Sequence, residues 1–162
     1  MVFIIPWCLG LVLAALHSWL RRATLDRVGV LELFFRYQLA LGLALSGLMG
    51  FLGHAFNPTQ VAARIGWQAH PAFQFELAAF ELGFGLAALG GLLTRNRGYW
   101  LGITLAPSVF LFLAGAQHAH EIVSKANMAP YNLLAILPDF LIPGTLLGLL
   151  AGLRGSRSRQ AG

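Results

Sequence analysis

Charged side chains are scarce in this chain: they make up 10% of its 162 residues, while 57% are hydrophobic. A soluble domain carries roughly 25% charged residues. A water-borne fold of this length could not hide so much apolar surface, so the solvent around most of it is lipid. Cysteine is nearly absent, and the single Cys8 excludes an internal disulfide or a cysteine-built metal centre. There is no phosphate-cradling loop, no nucleophile elbow and no His-Glu-x-x-His helix. No alternating barrel pattern is present, which leaves helices as the way to satisfy the backbone in hydrocarbon. A basic stretch before the first apolar run is also missing, and Arg21 and Arg22 follow that run, so it does not read as a signal peptide or a twin-arginine signal. The net charge is +5, but no basic face interleaved with aromatics accompanies it, so nucleic acid is not an expected partner.

Five apolar stretches are present, at about residues 2–20, 28–56, 71–93, 99–123 and 131–153. A spanning helix needs about 20 residues. The expected fold is therefore all-α: a polytopic transmembrane bundle of five spans, a four-helix core plus an N-terminal span. Residues 1–154 form a single domain and 155–162 a polar, flexible cytoplasmic tail. Arg21, Arg22, Arg27, Arg95, Arg97, Arg154, Arg157 and Arg159 cluster on the loops of one side, whereas the other side has only Arg64 and Lys125. The positive-inside rule then places the N-terminus outside and the C-terminus in the cytoplasm of a bacterial inner membrane. Small-residue ridges, Gly42/Ser46/Gly50 and Gly144/Gly148/Gly152, mark packing faces. No internal repeat is apparent.

This topology sorts the polar residues by depth. His54, His70, His118 and His120, with Glu76, Glu81, Glu121 and Asp139, fall in the outer half. Ionisable groups inside a bilayer are costly and mark functional sites. Glu76, Glu81, His118, Glu121 and Asp139 are therefore the expected lining of a ligand or proton pocket, with Glu76, His118 and Asp139 as the metal-ligating subset. Imidazole and carboxylate together suit a metal ion, haem iron or a quinone headgroup. Glu76 and Glu81 lie about 140° apart on an ideal helix, so both cannot aim at one ion. Each is expected to face a neighbouring helix, with the ridge Phe73, Leu77, Phe80 and Phe84 between them. The alternative for these groups is structural, as polar contacts hydrogen-bonded across helices. On the inner side Glu32 and Arg36, four apart, form the expected structural ion pair, with His17 near them. Pro107, Pro138 and Pro143 interrupt helix hydrogen bonding.

The stretches FELAAFELGFGLAALGGLL (Phe75–Leu93), LAGAQHAHE (Leu113–Glu121) and LPDFLI (Leu137–Ile142) carry a resemblance. They resemble a family of small bacterial polytopic membrane proteins classed as a domain of unknown function. The resemblance covers about three quarters of the chain and aligns Glu76, Glu81, Gly83, Gly85, Gly115, His118 and Asp139 with the family pattern. At the position of Glu81 that family more often has Asn. A weaker likeness, in helix count and glycine content, is to the DoxX-like four-helix membrane proteins, some linked to quinone-dependent sulfur oxidation; it implies redox work.

Three functions follow as expectations. The first is an uncharacterised membrane protein with a metal- or quinone-binding pocket open to the outer leaflet, redox-linked. The second is a non-catalytic accessory subunit, assembled as a homo-oligomer or in a larger membrane complex. The third is a small proton-coupled permease, with Asp139 and Glu81 as proton carriers and Glu32 and Arg36 as an inner gate.

Overall fold

The computed structural model describes residues 3–158, with side chains through Gly155. The described residues form helices and turns and no strand. Helix α1 is Ile4–Leu20. Helix α2 runs Arg27–Phe56 and includes a π-helical stretch, Gln38–Leu45. Helix α3, Pro58–Ile65, is short. Helices α4 (Pro71–Leu92), α5 (Arg97–Lys125) and α6 (Pro130–Ser158) complete the chain. Four helices are long and apolar enough to cross a membrane, and α1 is a shorter apolar helix of 17 residues. This is the expected all-α bundle. Helix α6 continues through Ser158, past the start of the expected tail, and the rest of that tail lies outside the described residues.

Local chemistry sets the helix ends. Asp26 caps α2 by accepting a hydrogen bond from the Gly29 N–H at 2.8 Å, and Asn96 caps α5 through the Tyr99 N–H at 3.1 Å. Pro58 and Pro71 open α3 and α4, where a missing N–H costs nothing. Gly66 ends α3 in the left-handed region, at φ 83°. The same region ends α5 at Ala126, φ 51°, the one non-glycine residue with positive φ among the described residues.

The long helices form two hairpins, α2 with α4 and α5 with α6. Helix α2 also packs on α6, and α4 on α5, which is the loosest contact of the four. Helix α1 lies along α2 and touches α6. The π stretch marks where α2 changes partner. Its first part, at Gln38 and Gly42, meets Trp7 of α1, whereas Gly47 and Gly50, just beyond it, meet α4. The ridge Gly42/Ser46/Gly50 thus serves internal contacts. In the other ridge Gly152 meets Leu31, but Gly144 and Gly148 have no neighbour within 4 Å.

The bundle is uneven along its length. Toward the end carrying Arg21 and Arg95, Phe35, Leu39, Trp100, Leu146, Leu150 and Leu153 form one buried cluster, beside an open polar basin of about 440 Å³ lined by Arg21, Glu32, Arg36 and Arg95. The Trp100 indole N–H donates to the Gly91 carbonyl at 2.8 Å, and its ring lies 4.8 Å from that of Phe35. At the other end the bundle is polar and partly hollow.

Trp100 ties α5 to α2 and α4, so Trp100→Ala is expected to cost about 3–5 kcal/mol of stability. Trp100→Phe, which loses mainly the hydrogen bond, is expected to cost about 1 kcal/mol. Thermal unfolding of the detergent-solubilised protein checks the ranking; similar midpoints for both variants would contradict this packing.

Candidate ligand cavity

In lipid a polar side chain must find its partner on a neighbouring helix, and helices approach closely where one of them lacks a side chain. Helix α4 meets α2 at Gly50, where an added Cβ would overlap the carboxyl group of Glu81. Helix α6 meets α5 at Gly115, where an added Cβ would lie 3.0 Å from Asp139 Cβ and 2.9 Å from the Phe140 ring. Glycine at these two positions brings each acid beside a histidine of the facing helix. His54 Nε2 lies 3.9 Å from Glu81 Oε1, and His118 Nε2 lies 4.0 Å from Asp139 Oδ2. All four residues are buried.

A third side chain orients each imidazole. His54 Nδ1 hydrogen-bonds Oε1 of Gln74, and His118 Nδ1 hydrogen-bonds Oδ1 of Asn132 at 2.8 Å. Asn132 fixes its own orientation, because its Nδ2 donates to the carbonyl oxygens of His118 (3.2 Å) and Asn127 (2.9 Å). Its Oδ1 must therefore accept, so His118 carries a proton on Nδ1 and, when neutral, presents the Nε2 lone pair to Asp139. The separations of 3.9 and 4.0 Å exceed a direct hydrogen bond.

The second hairpin thus repeats the polar placement of the first, although the sequence shows no repeat. In each, the outgoing helix carries a glycine and, within a turn of it, a histidine: Gly50 and His54, Gly115 and His118. In each, the returning helix carries an amide in its first turn and an acid two turns on: Gln74 and Glu81, Asn132 and Asp139. The two His–acid pairs border one cavity of about 260 Å³, whose other walls include Phe73, Leu77, Phe110, Leu113 and Tyr131. Glu81 Oε2 is buried there without a hydrogen-bond partner.

Of the expected pocket residues, Glu81, His118 and Asp139 come together, and Glu76 and Glu121 do not. Glu76 is exposed on the far face of α4. Helix α4 has two long neighbours. Its Glu81 face meets α2, and its phenylalanine ridge meets the cavity and α5, so the face with Glu76 and the unobstructed Gly83 has no helix to meet. The trio Glu76, His118 and Asp139 therefore does not assemble. No three His, Cys, Asp or Glu side chains converge on a metal position among the described residues. Glu121 turns into an adjoining groove beneath Trp67, where its Oε1 accepts from Lys125 Nζ at 2.7 Å and Gln117 Nε2 at 3.2 Å. At the opposite end Glu32 pairs with Arg95, 3.1 Å apart, rather than with Arg36. The Arg36 guanidinium instead donates to the carbonyl oxygens of Leu92 and Thr94, where the end of α4 leaves acceptors unmet. The Arg95 side chain is largely exposed, so that pair contributes little. His17 bonds the Tyr37 hydroxyl at 3.2 Å and borders the same basin as Glu32 and Arg36.

Residue-type reasoning placed His54 in the outer half but not in the pocket lining, and it passed over Gln74 and Asn132. A signal for two of them was present: Gln74 and Glu81 are seven apart, as are Asn132 and Asp139, which puts each pair on one face two turns apart.

The tautomer is testable. Nitrogen NMR of His118 in the purified protein is expected to show a protonated Nδ1 and a bare Nε2. Asn132→Leu is expected to release this bias and, by leaving the buried His118 Nδ1–H without its acceptor, to cost about 1–3 kcal/mol. An unchanged His118 spectrum in that variant would remove Asn132 from its orienting role.

No curated protein and no solved structure matches the chain. The sequence profile of one family does, over residues 1–159, so α1 falls within the match along with the rest of the bundle. The chain belongs to that family, a family of unknown function (DUF6790).

Proposed function

We propose that the chain is a ligand-binding protein of a bacterial inner membrane, with its N-terminus outside, its C-terminus in the cytoplasm and its cavity in the outer half. The occupant proposed is a quinone-type ring. One observation carries this reading: two His–carboxyl pairs of matching construction border a single cavity whose remaining walls are largely aromatic and aliphatic. Ligand sites are generally apolar concavities with a few convergent polar groups. At about 260 Å³ the space suits one substituted ring. A quinone has an oxygen at each end of an apolar ring, and each oxygen only accepts, so each end can meet the acid O–H of Glu81 or Asp139, whose neighbouring imidazole Nε2 accepts in turn. The partnerless Glu81 Oε2 gains a partner when the ring is bound. The pairs supply hydrogen bonds and exchangeable protons to those oxygens, a role in quinone-linked redox chemistry. Because Gly144 and Gly148 lie open on α6, that face also supports the accessory-subunit reading, as a surface for a neighbouring helix. Crosslinking from Gly148→Cys in native membranes tests it; no crosslinked partner would count against it.

Quinone binding is measured by quenching of Trp67, whose ring stacks 5.5 Å from His118, with Trp67→Phe as the blank. Saturable binding is expected in lipid nanodiscs, weakened about 10-fold or more by Glu81→Leu or Asp139→Leu, each removing a hydrogen bond of about 1.5 kcal/mol. A ring lacking one of the two oxygens is expected to bind more weakly than the quinone, and less sensitively to one of the two acid variants. Absence of saturable binding would overturn the reading.

Orientation has its own test. In a Cys8→Ser background, Gln68→Cys is expected to react with an impermeant thiol reagent on intact spheroplasts, and Gly155→Cys only after permeabilisation. Equal labelling of both would remove the assignment of the cavity to the outer half.

A further inference from the structure

The two hairpins differ at one place. In the second, α5 and α6 are joined by the short turn 126–129, whereas in the first the connection 57–70 carries α3 and reaches across to the other hairpin. Arg64 Nη1 donates to the Tyr131 hydroxyl at 2.6 Å, with the guanidinium 5.3 Å from the ring centre. Asn127 Nδ2 donates to the Ile65 carbonyl at 2.9 Å. Trp67 lies flat on His118, with 12° between the rings. Ile65 and Trp67 both line the cavity. The longer connection therefore forms a roof on the side of the cavity that faces water.

The side that faces lipid is built differently. Helices α4 and α5 are tied together near the arginine-rich end, where Tyr99 Oη donates to the Ala87 carbonyl at 2.9 Å and Trp100 bonds Gly91. Midway, Phe110 of α5 packs on Phe80 and Phe84 of α4, at 4.9 and 6.4 Å. Beyond Phe110 the cavity lies between the two helices. Phe73 of α4 and Leu113 of α5 line it, yet they are 52% and 66% exposed. A side chain that both lines a cavity and faces outward from a membrane-spanning helix marks an opening onto the bilayer.

We infer that the cavity is loaded sideways, from the bilayer through the gap between α4 and α5, so that its ligand is a membrane-dissolved quinone whose apolar tail stays in lipid while the ring meets the two His–carboxyl pairs. The inference rests on the quinone reading above and adds the route and the tail. Water-soluble rings are disfavoured by the roof, and the aromatic and aliphatic rim of the gap matches a hydrocarbon tail.

Association and dissociation rates of a long-tailed quinone, followed through Trp67 quenching in nanodiscs, test the route. The observed rate is expected to follow the mole fraction of quinone in the lipid. Trp side chains at the gap, Phe73→Trp with Leu113→Trp, read by stopped flow in the same nanodiscs against a matched Trp67→Phe blank, are expected to slow both rates about tenfold. That corresponds to about 1.4 kcal/mol on the passage barrier, with the equilibrium constant changed much less than the rates. Arg64→Ala, which loosens the roof and lines nothing in the cavity, is expected to leave both rates unchanged. Unfolding midpoints identify a gap variant that is merely misfolded, in which case the single substitution Leu113→Trp decides. Rates that rise in Arg64→Ala and ignore the gap variants would overturn the sideways route while leaving quinone binding standing. Failure of the unmodified protein to bind any quinone would overturn both.

Discussion

A carboxyl group is tolerable in hydrocarbon only where a neighbouring helix comes close enough to accompany it, and here that closeness depends on Gly50 and Gly115. Each glycine faces an acid of the returning helix, and each precedes a histidine by about one turn. A side chain at either position would push the paired helices apart and strand Glu81 or Asp139 without its imidazole. The arrangement at the cavity end follows from these two contacts. Away from the cavity, the buried cluster around Trp100 packs α2, α4, α5 and α6 together.

The fold was legible because lipid imposes a length and a composition that few residues can disguise. Five apolar stretches became α1, α2, α4, α5 and α6 with boundaries shifted by a few residues. The site was legible only in part. Glu81, His118 and Asp139 were found because buried ionisable groups are rare in such a chain. Glu76 was misplaced because a helical wheel shows which residues share a face and not which face has a neighbour. Helix α4 has too few neighbours to cover all of its faces. The Glu32–Arg36 spacing was suitable for a pair, but each side chain found its partner at the end of α4 or just after it, at Arg95 or at the carbonyls of Leu92 and Thr94. A four-residue spacing permits a contact and does not select it over a tertiary one.

The matching construction of the hairpins was hidden for a related reason. Gln and Asn differ as letters, as do Glu and Asp, and the histidines sit four and three residues after their glycines. The correspondence lies in hydrogen-bonding roles: a side-chain carbonyl oriented toward Nδ1 and a carboxyl facing Nε2. A pair of hairpins so built offers a ligand two similar ends. The insertion of α3 into one of them breaks that equivalence on the side toward water.

Helix α1 spans about 26 Å at 1.5 Å per residue, whereas α2 reaches about 45 Å. The hydrocarbon of a bilayer is about 30 Å thick. A helix shorter than the hydrocarbon is accommodated by local thinning and a longer one by tilt or local thickening. The short helix and the long one lie side by side, so the bundle presents unequal apolar heights along a single flank.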